Sequence, residues 1–387
     1  MSQPAETTSA TPADPVAPGA APAAHAAAGV APAPRFTLEG FAPGWGASVM
    51  GTAALAVVGV ALAGRGVVPA LTRPFGIVVF LFSLVLGVLV IGTATARWIV
   101  HPRAALRDLA HPVKGGMSAT LPGAVLVLAV AFGRVGPLLL PEAAIRPTVL
   151  ALTAIGAVLA LVFGWAFLTG VFARGDTRLG QITGAWFIPP VVAIIVPTAL
   201  SPFIGVREGD HALDIDLLGI SWVMLGIGAA LFLAITAILV VRSAIAPLPP
   251  APLAPTLTIG LGPAGLIGLD LLLMARASER MGLMSADAVG LAAMIGGMFW
   301  GFGAWWAVAA VIVILRGYDR LPFALSWWGF TFPLAAWTIA GLQISEAVGS
   351  AALLAIAVSG AVLLVVVWAV TLVRTIVGVA NRSIWAG

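Results

Sequence analysis

Cysteine is absent from the 387 residues, which excludes a disulfide scaffold and thiolate metal sites. Lysine occurs once, as Lys114 after Val113, so no GxxxxGK phosphate loop exists and a Walker-type nucleotide site is excluded. Charged residues make up only 9% of the chain, against about a quarter in soluble globular proteins, so a water-facing surface cannot be assembled. The histidines His25, His101, His111 and His211 fall in the tail or in loops, whereas a membrane haem carrier needs them within helices. No HExxH helix occurs, and the Asp319 of "GYDRL" has no GxGD partner, so zinc-dependent and aspartyl intramembrane proteolysis are excluded. No convergent nucleophile, metal or cofactor set remains. The chain reads as a non-enzyme without metal or cofactor, and its net charge of +4 reflects loop arginines rather than a nucleic-acid patch.

What is abundant is apolar length. Hydrophobic residues make up 61% of the chain, in runs long enough to cross a hydrocarbon core of about 30 Å as helices. From Gly44 the runs number ten: 44–64, 74–97, 116–134, 147–172, 181–205, 215–241, 255–275, 288–315, 321–343 and 348–373. The expected fold is an all-α polytopic membrane protein, with residues 35–387 as one transmembrane domain. Residues 1–34 are Ala, Pro, Gly, Ser and Thr with almost no large apolar side chain, the composition of a disordered tail. With the N-terminus cytoplasmic, 12 of the 19 basic residues fall on inner segments, which favours both termini inside a cytoplasmic (inner) membrane.

Spans 3, 5, 7 and 9 carry interior prolines, Pro122, Pro189 with Pro190 and Pro197, Pro263 and Pro333, and successive kink prolines Pro122, Pro189, Pro263 and Pro333 lie 67, 74 and 70 residues apart. The even spans carry none beyond their first residue. Span 1 offers Gly51, in "SVMGTAAL", at similar depth. A proline inside a helix removes a hydrogen bond and kinks the chain, and lipid does not tolerate the freed carbonyls. Five hairpins are therefore expected, each a broken helix followed by a straight one, with the broken helices ringed about a common axis. In "SWWGFTFPLAAW", residues 326–337, Phe332 beside Pro333 is placed either to plug such an axis or to pack between helices as membrane-core phenylalanines commonly do, and periodicity alone favours packing. The spans hold almost no titratable groups, so basic mouths and helix dipoles would attract a small anion rather than a coordinating cage.

"SWWGFTFPLAAWTIA" resembles the ninth helix of the tellurite-resistance/dicarboxylate transporter family, which includes slow anion channels, TehA proteins and malate permeases. "LEGFAPGWGASVMGTAAL" resembles that family's first-helix signature. "DLAHPVKGGMSATLP" (108–122) and "GAWFIPPVVAIIVP" (184–197) are similar to its third and fifth helices. The similarity runs from about Phe36 to the C-terminus. It departs at Gly46, where the family usually has an aromatic, and at Ala53, where it has glycine. The resemblance implies ten helices in five hairpins around a pseudo-fivefold central pore, usually in a homotrimer with one pore per subunit. It also implies a gating phenylalanine on the ninth helix, carried onto Phe332 with Phe330 as the alternative.

Asp270, in "GLIGLDLLLMAR", is the one carboxylate within a span and thus a candidate coupling residue. Its place six residues before Arg276 suggests pairing or snorkelling near the interface. The aromatics of "MFWGFGAWWAVAA" read as packing, and Gly296, Gly297, Gly301 and Gly303 as a close helix approach, between subunits on an even span. The expected activity is passage of small anions (chloride, nitrate, malate or sulfite) through a gated pore. The rival is a proton-coupled carrier of malate-like dicarboxylates or sulfite; a tellurite-resistance label would name only a phenotype.

Overall fold

The computed structural model describes residues 35–206 and 211–385. The expected disordered tail, residues 1–34, lies outside them. Among the described residues there is no strand. The main elements are α1 Gly46–Gly64, α2 Pro69–Val100, α3 Thr120–Val135, α4 Glu142–Arg174, α5 Ile188–Leu200, α6 His211–Ile245, α7 Leu261–Arg280, α8 Ala286–Gly317, α9 Thr331–Val348 and α10 Ala351–Ala380.

These helices are of two kinds. The even ones run unbroken for 30 to 35 residues. In the most apolar stretch of each, only 17–33% of residues are buried, leaving rows of Leu, Val and Ile facing outward as a lipid-facing helix requires. The odd α-helices are shorter, at 13 to 20 residues. The stretches containing α1, α3, α5 and α7 are 78–100% buried, and α9 is buried along most of its length. Each odd helix packs on the even helix that follows it. The odd helices also meet one another in the closed order α1, α3, α5, α7, α9 and back to α1.

Nine helical stretches among the described residues are long and apolar enough to cross a membrane, which makes this a multi-pass membrane protein. The expected span 321–343 is helical from Leu325 to Val348 but is not one of the nine. Gln343, Ser345, Glu346 and two threonines lower its hydropathy. Burial among the other odd helices removes the need for an apolar surface there.

Apart from Pro197, which lies inside α5, the interior prolines of the odd spans stand at helix starts rather than in mid-course. Pro122, Pro189, Pro263 and Pro333 each stand within the first three residues of α3, α5, α7 and α9. Just before α5, α7 and α9 the chain is a 3₁₀ helix: Gly184–Phe187, Ala251–Gly260 and Leu325–Phe330. Before α3 it is the short helix Lys114–Ser118. In a first turn the missing proline N–H costs little, and 3₁₀ bonds engage the backbone upstream, so the kinks expected from sequence are changes of helix type. Gly51 breaks nothing either, because α1 is continuous through it. The even helices extend further than their apolar runs, which places Pro74 and Pro147 one turn inside α2 and α4.

His111 helps to start the segment before α3. Its Nδ1 accepts from the backbone N–H groups of Val113 (3.1 Å) and Lys114 (3.3 Å), which requires the neutral ring. Burial, with the charges of Lys114 and Arg174, holds its pKa below the ordinary 6.5. A folded-state pKa below the unfolded one stabilises the fold above the unfolded value, and that contribution fades as pH falls through the folded one. The wild-type unfolding midpoint should therefore decline as pH drops from about 7.5 to about 5, and His111→Asn should flatten that decline. A thermal melt series in detergent that decays equally in both proteins would show that His111 carries none of it.

Candidate functional site

Two cavities lie where the odd helices converge. The smaller, of about 40 Å³, is at their N-terminal ends and is lined by Ala47, Thr120 and Ile188 of α1, α3 and α5 and by Thr256 and Gly329 of the 3₁₀ segments that lead into α7 and α9. The larger, of about 310 Å³, is at their C-terminal ends and again takes residues from all five, among them Val57, Val130, Thr198, Leu269 and Ile339. Because each odd span lines one cavity with its N-terminal part and the other with its C-terminal part, the five run in the same direction.

The register of each helix identifies what separates the cavities. On the ninth span, Gly329 borders the small cavity and Ile339, Gln343 and Glu346 border the large one. Steps of three and four residues keep 329, 332, 336, 339, 343 and 346 on one face, so Phe332 and Ala336 fall between the cavities. The same steps place Met50 and Ala54 on α1, Gly123 and Val127 on α3, Val191 and Ile195 on α5, and Leu266 on α7. All are buried, and none has a polar side chain. Phe332 retains 7% exposure, above Leu266 at 4% and Met50 and Ala54 at 3%. Phe330 is off this face: three residues after Trp327 in a 3₁₀ turn, it meets that ring edge-on at 5.9 Å.

The remaining candidates serve packing or lie behind the cavity walls. Gly51 lets α1 approach the start of α9. A Cβ there would collide with Thr331 Oγ1 and lie 2.8 Å from Thr331 Cβ. Thr331 cannot yield freely, since its hydroxyl donates to the Trp328 carbonyl at 2.8 Å. Gly262, next to Pro263, lets α7 approach Pro333 at the start of α9. Trp337 and Trp300 stack at 4.7 Å, and each indole N–H donates to the other's carbonyl, so these aromatics clamp α8 to α9. Gly296 and Gly303 serve a close crossing of α8 on α7 inside the subunit, while Gly301 is open.

Asp270 neither pairs with Arg276 nor reaches an interface. It is fully buried on α7, its Oδ1 accepts from the Thr198 hydroxyl at 2.7 Å, and its Oδ2 has no hydrogen-bond partner. Arg276 donates instead to Gln343 Oε1 at 3.1 Å. Thr198 itself borders the large cavity, so Asp270 stands one side chain behind the wall.

The charges of that cavity lie outside the residues that sequence patterns single out. Arg65 and Glu346 line it and pair at 3.1 Å. Arg134 also lines it, with its side chain exposed. It follows Thr120, Gly123, Val127 and Val130 at helical steps, so the register of α3 would have revealed it. Among the described residues no group of acidic or histidine side chains is suited to hold a metal ion.

Residues 40–376 match the family described as SLAC1, voltage-dependent anion channel. Uncharacterized transporter MJ0576 of Methanocaldococcus jannaschii is 29% identical over 353 residues, 90% of this chain and 96% of that protein. Uncharacterized transporter MJ0762 of the same organism is 29% identical over 342 residues, 88% of this chain and 95% of its own. Sulfite efflux pump SSU1 of Arthroderma benhamiae is 28% identical over 186 residues, 46% of this chain and 48% of that protein.

Proposed function

The chain belongs to the SLAC1 family of voltage-dependent anion channels, and from that premise we propose that it carries small anions along the shared axis of α1, α3, α5, α7 and α9. The observation that carries this reading is the pair of cavities, each lined by residues of all five odd spans, with the register placing only apolar side chains between them. Ten spans in five hairpins form a pseudo-fivefold ring about this axis, and the even helices face lipid or neighbouring subunits of a homotrimer. Both termini lie on the cytoplasmic side of an inner membrane, so the large cavity opens outward.

Phe332 is the gate. A neck lined only by hydrocarbon strips water from an ion and offers nothing in return, so it holds the path shut while narrow. Chloride, nitrate, sulfite and malate are the candidate cargoes. The similarity of half the chain to half of a sulfite efflux pump supports a small oxyanion among them. The test is anion current through purified protein in planar bilayers, wild type beside Phe332→Ala.

One observation favours a second reading, a proton-coupled carrier of malate or sulfite. Asp270 keeps an unpartnered oxygen behind Thr198, at the wall of the large cavity. In that case Asp270→Asn should cut uptake driven by an imposed proton gradient in proteoliposomes by at least about tenfold. If the protein is a channel, the same variant leaves anion flux within about twofold of wild type and insensitive to the gradient.

A further inference from the structure

We propose that Arg134 and Gln343 form an oxyanion-recognition station in the large cavity, a site that rests on the pore reading and gives it selectivity. Of the charged groups lining that cavity, Arg65 and Glu346 neutralise one another. Arg134 has no ion-pair or hydrogen-bond partner among the described residues, and its exposed side chain borders this open cavity of about 310 Å³. The other guanidinium near it, that of Arg280, is engaged by the carbonyls of Ser201 (2.7 Å) and Ile204 (3.0 Å). The cavity therefore carries an uncompensated positive charge on a side chain with free donors.

Gln343 supplies the second arm. Its Oε1 is held by Arg276, so its amide N–H₂ group remains to donate from the cavity wall. Thr198 is no rival donor, because its proton goes to Asp270. A planar guanidinium fork and an amide N–H₂ together match an anion bearing two or three oxygens. A spherical halide accepts from the fork at one point and leaves the rest unmet. The ligand class is thus a small oxyanion of low charge, such as nitrate or hydrogen sulfite, favoured over chloride. Four residues beyond Val130 on the stripe of α3, Arg134 meets such an ion before the apolar neck and repays part of its dehydration.

The test is thermal unfolding of the purified protein, followed by tryptophan fluorescence, while sodium nitrate or sodium sulfite replaces sodium chloride at constant ionic strength. The wild-type midpoint should rise with the oxyanion fraction. In Arg134→Gln the half-saturating concentration should increase at least about tenfold. Arg134→Lys, which keeps the charge without the fork, should respond to oxyanion and chloride alike. The proposal is overturned if Arg134→Gln titrates like wild type, or if nitrate and chloride act equally on the wild type. Anion current in a Phe332→Ala background separates the two levels. If that background conducts, and Arg134→Gln changes neither its conductance nor its nitrate-to-chloride ratio, the station is wrong and the pore stands. If that background is silent while the nitrate-dependent midpoint still requires Arg134, the station stands and the pore reading is what fails.

Discussion

Phe332→Ala is expected to turn a nearly silent protein into a steady anion conductor, with chloride or nitrate current up at least about tenfold, roughly 1.4 kcal/mol off the barrier. The ring is the bulkiest group of the neck, lying between cavities bordered by Gly329 on one side and Ile339 on the other. Removing it widens the one stretch in which an ion has no polar partner. Phe332→Leu should be intermediate, and Phe332→Trp should stay closed. Phe330→Ala is the internal control. Phe330 packs on Trp327 away from the shared face, so its loss should leave the protein as silent as wild type. Stability gives a second reading of the same residue. A phenylalanine packed on all sides typically costs about 3–5 kcal/mol on truncation. Phe332 retains 7% exposure and on the proposed reading faces the axis on one side, so its truncation should cost measurably less than that of Phe187, which has no exposure at all. Equal current in wild type and Phe332→Ala, or opening by Phe330→Ala instead, would remove Phe332 as the gate.

The proline periodicity pointed to the buried helices for a reason other than the one the sequence suggests. Those prolines mark where a 3₁₀ or short helical entry gives way to α-helix, a distinction that residue spacing alone does not make. Composition was the surer guide to the even helices, because lipid demands uninterrupted Leu, Val and Ile. It did less well on the ninth span, where protein rather than lipid is the surroundings and polar residues are tolerated.

Asp270 and Arg276 illustrate how spacing misleads when the helix is ignored. Residues six apart point to different faces, so the pairing suggested by proximity along the chain was never available. Their actual partners, Thr198 and Gln343, lie 72 and 67 residues away on other helices. Arg134 was legible in principle. Counted as a loop charge it looked generic, whereas its register with Thr120 and Val130 directs it to the same axis.

The closure of the ring at α1 and α9 gives the second large effect. Gly51→Ala should destabilise the protein by about 1–3 kcal/mol, the range for forcing a methyl group into a well-packed core. The added Cβ would lie 2.8 Å from Thr331 Cβ and closer still to its hydroxyl. Thr331 is tied to the Trp328 carbonyl, and the Trp328 indole N–H donates to Thr375 Oγ1 at 3.1 Å on α10. Neither neighbour can turn aside without breaking a buried hydrogen bond, so the strain passes to the start of α9, one residue before Phe332. Thr331→Gly should relieve the clash in the double variant at a cost of at most about 1 kcal/mol for glycine in a helix. A double-mutant cycle on unfolding midpoints should therefore show coupling of at least about 1 kcal/mol. Additive behaviour would mean that α1 and α9 do not approach as closely as Gly51 permits. If the Gly51→Ala protein also leaks anions and the double variant does not, the glycine holds the gate in place as well as the fold, because the contact that closes the ring is next to the ring that closes the path.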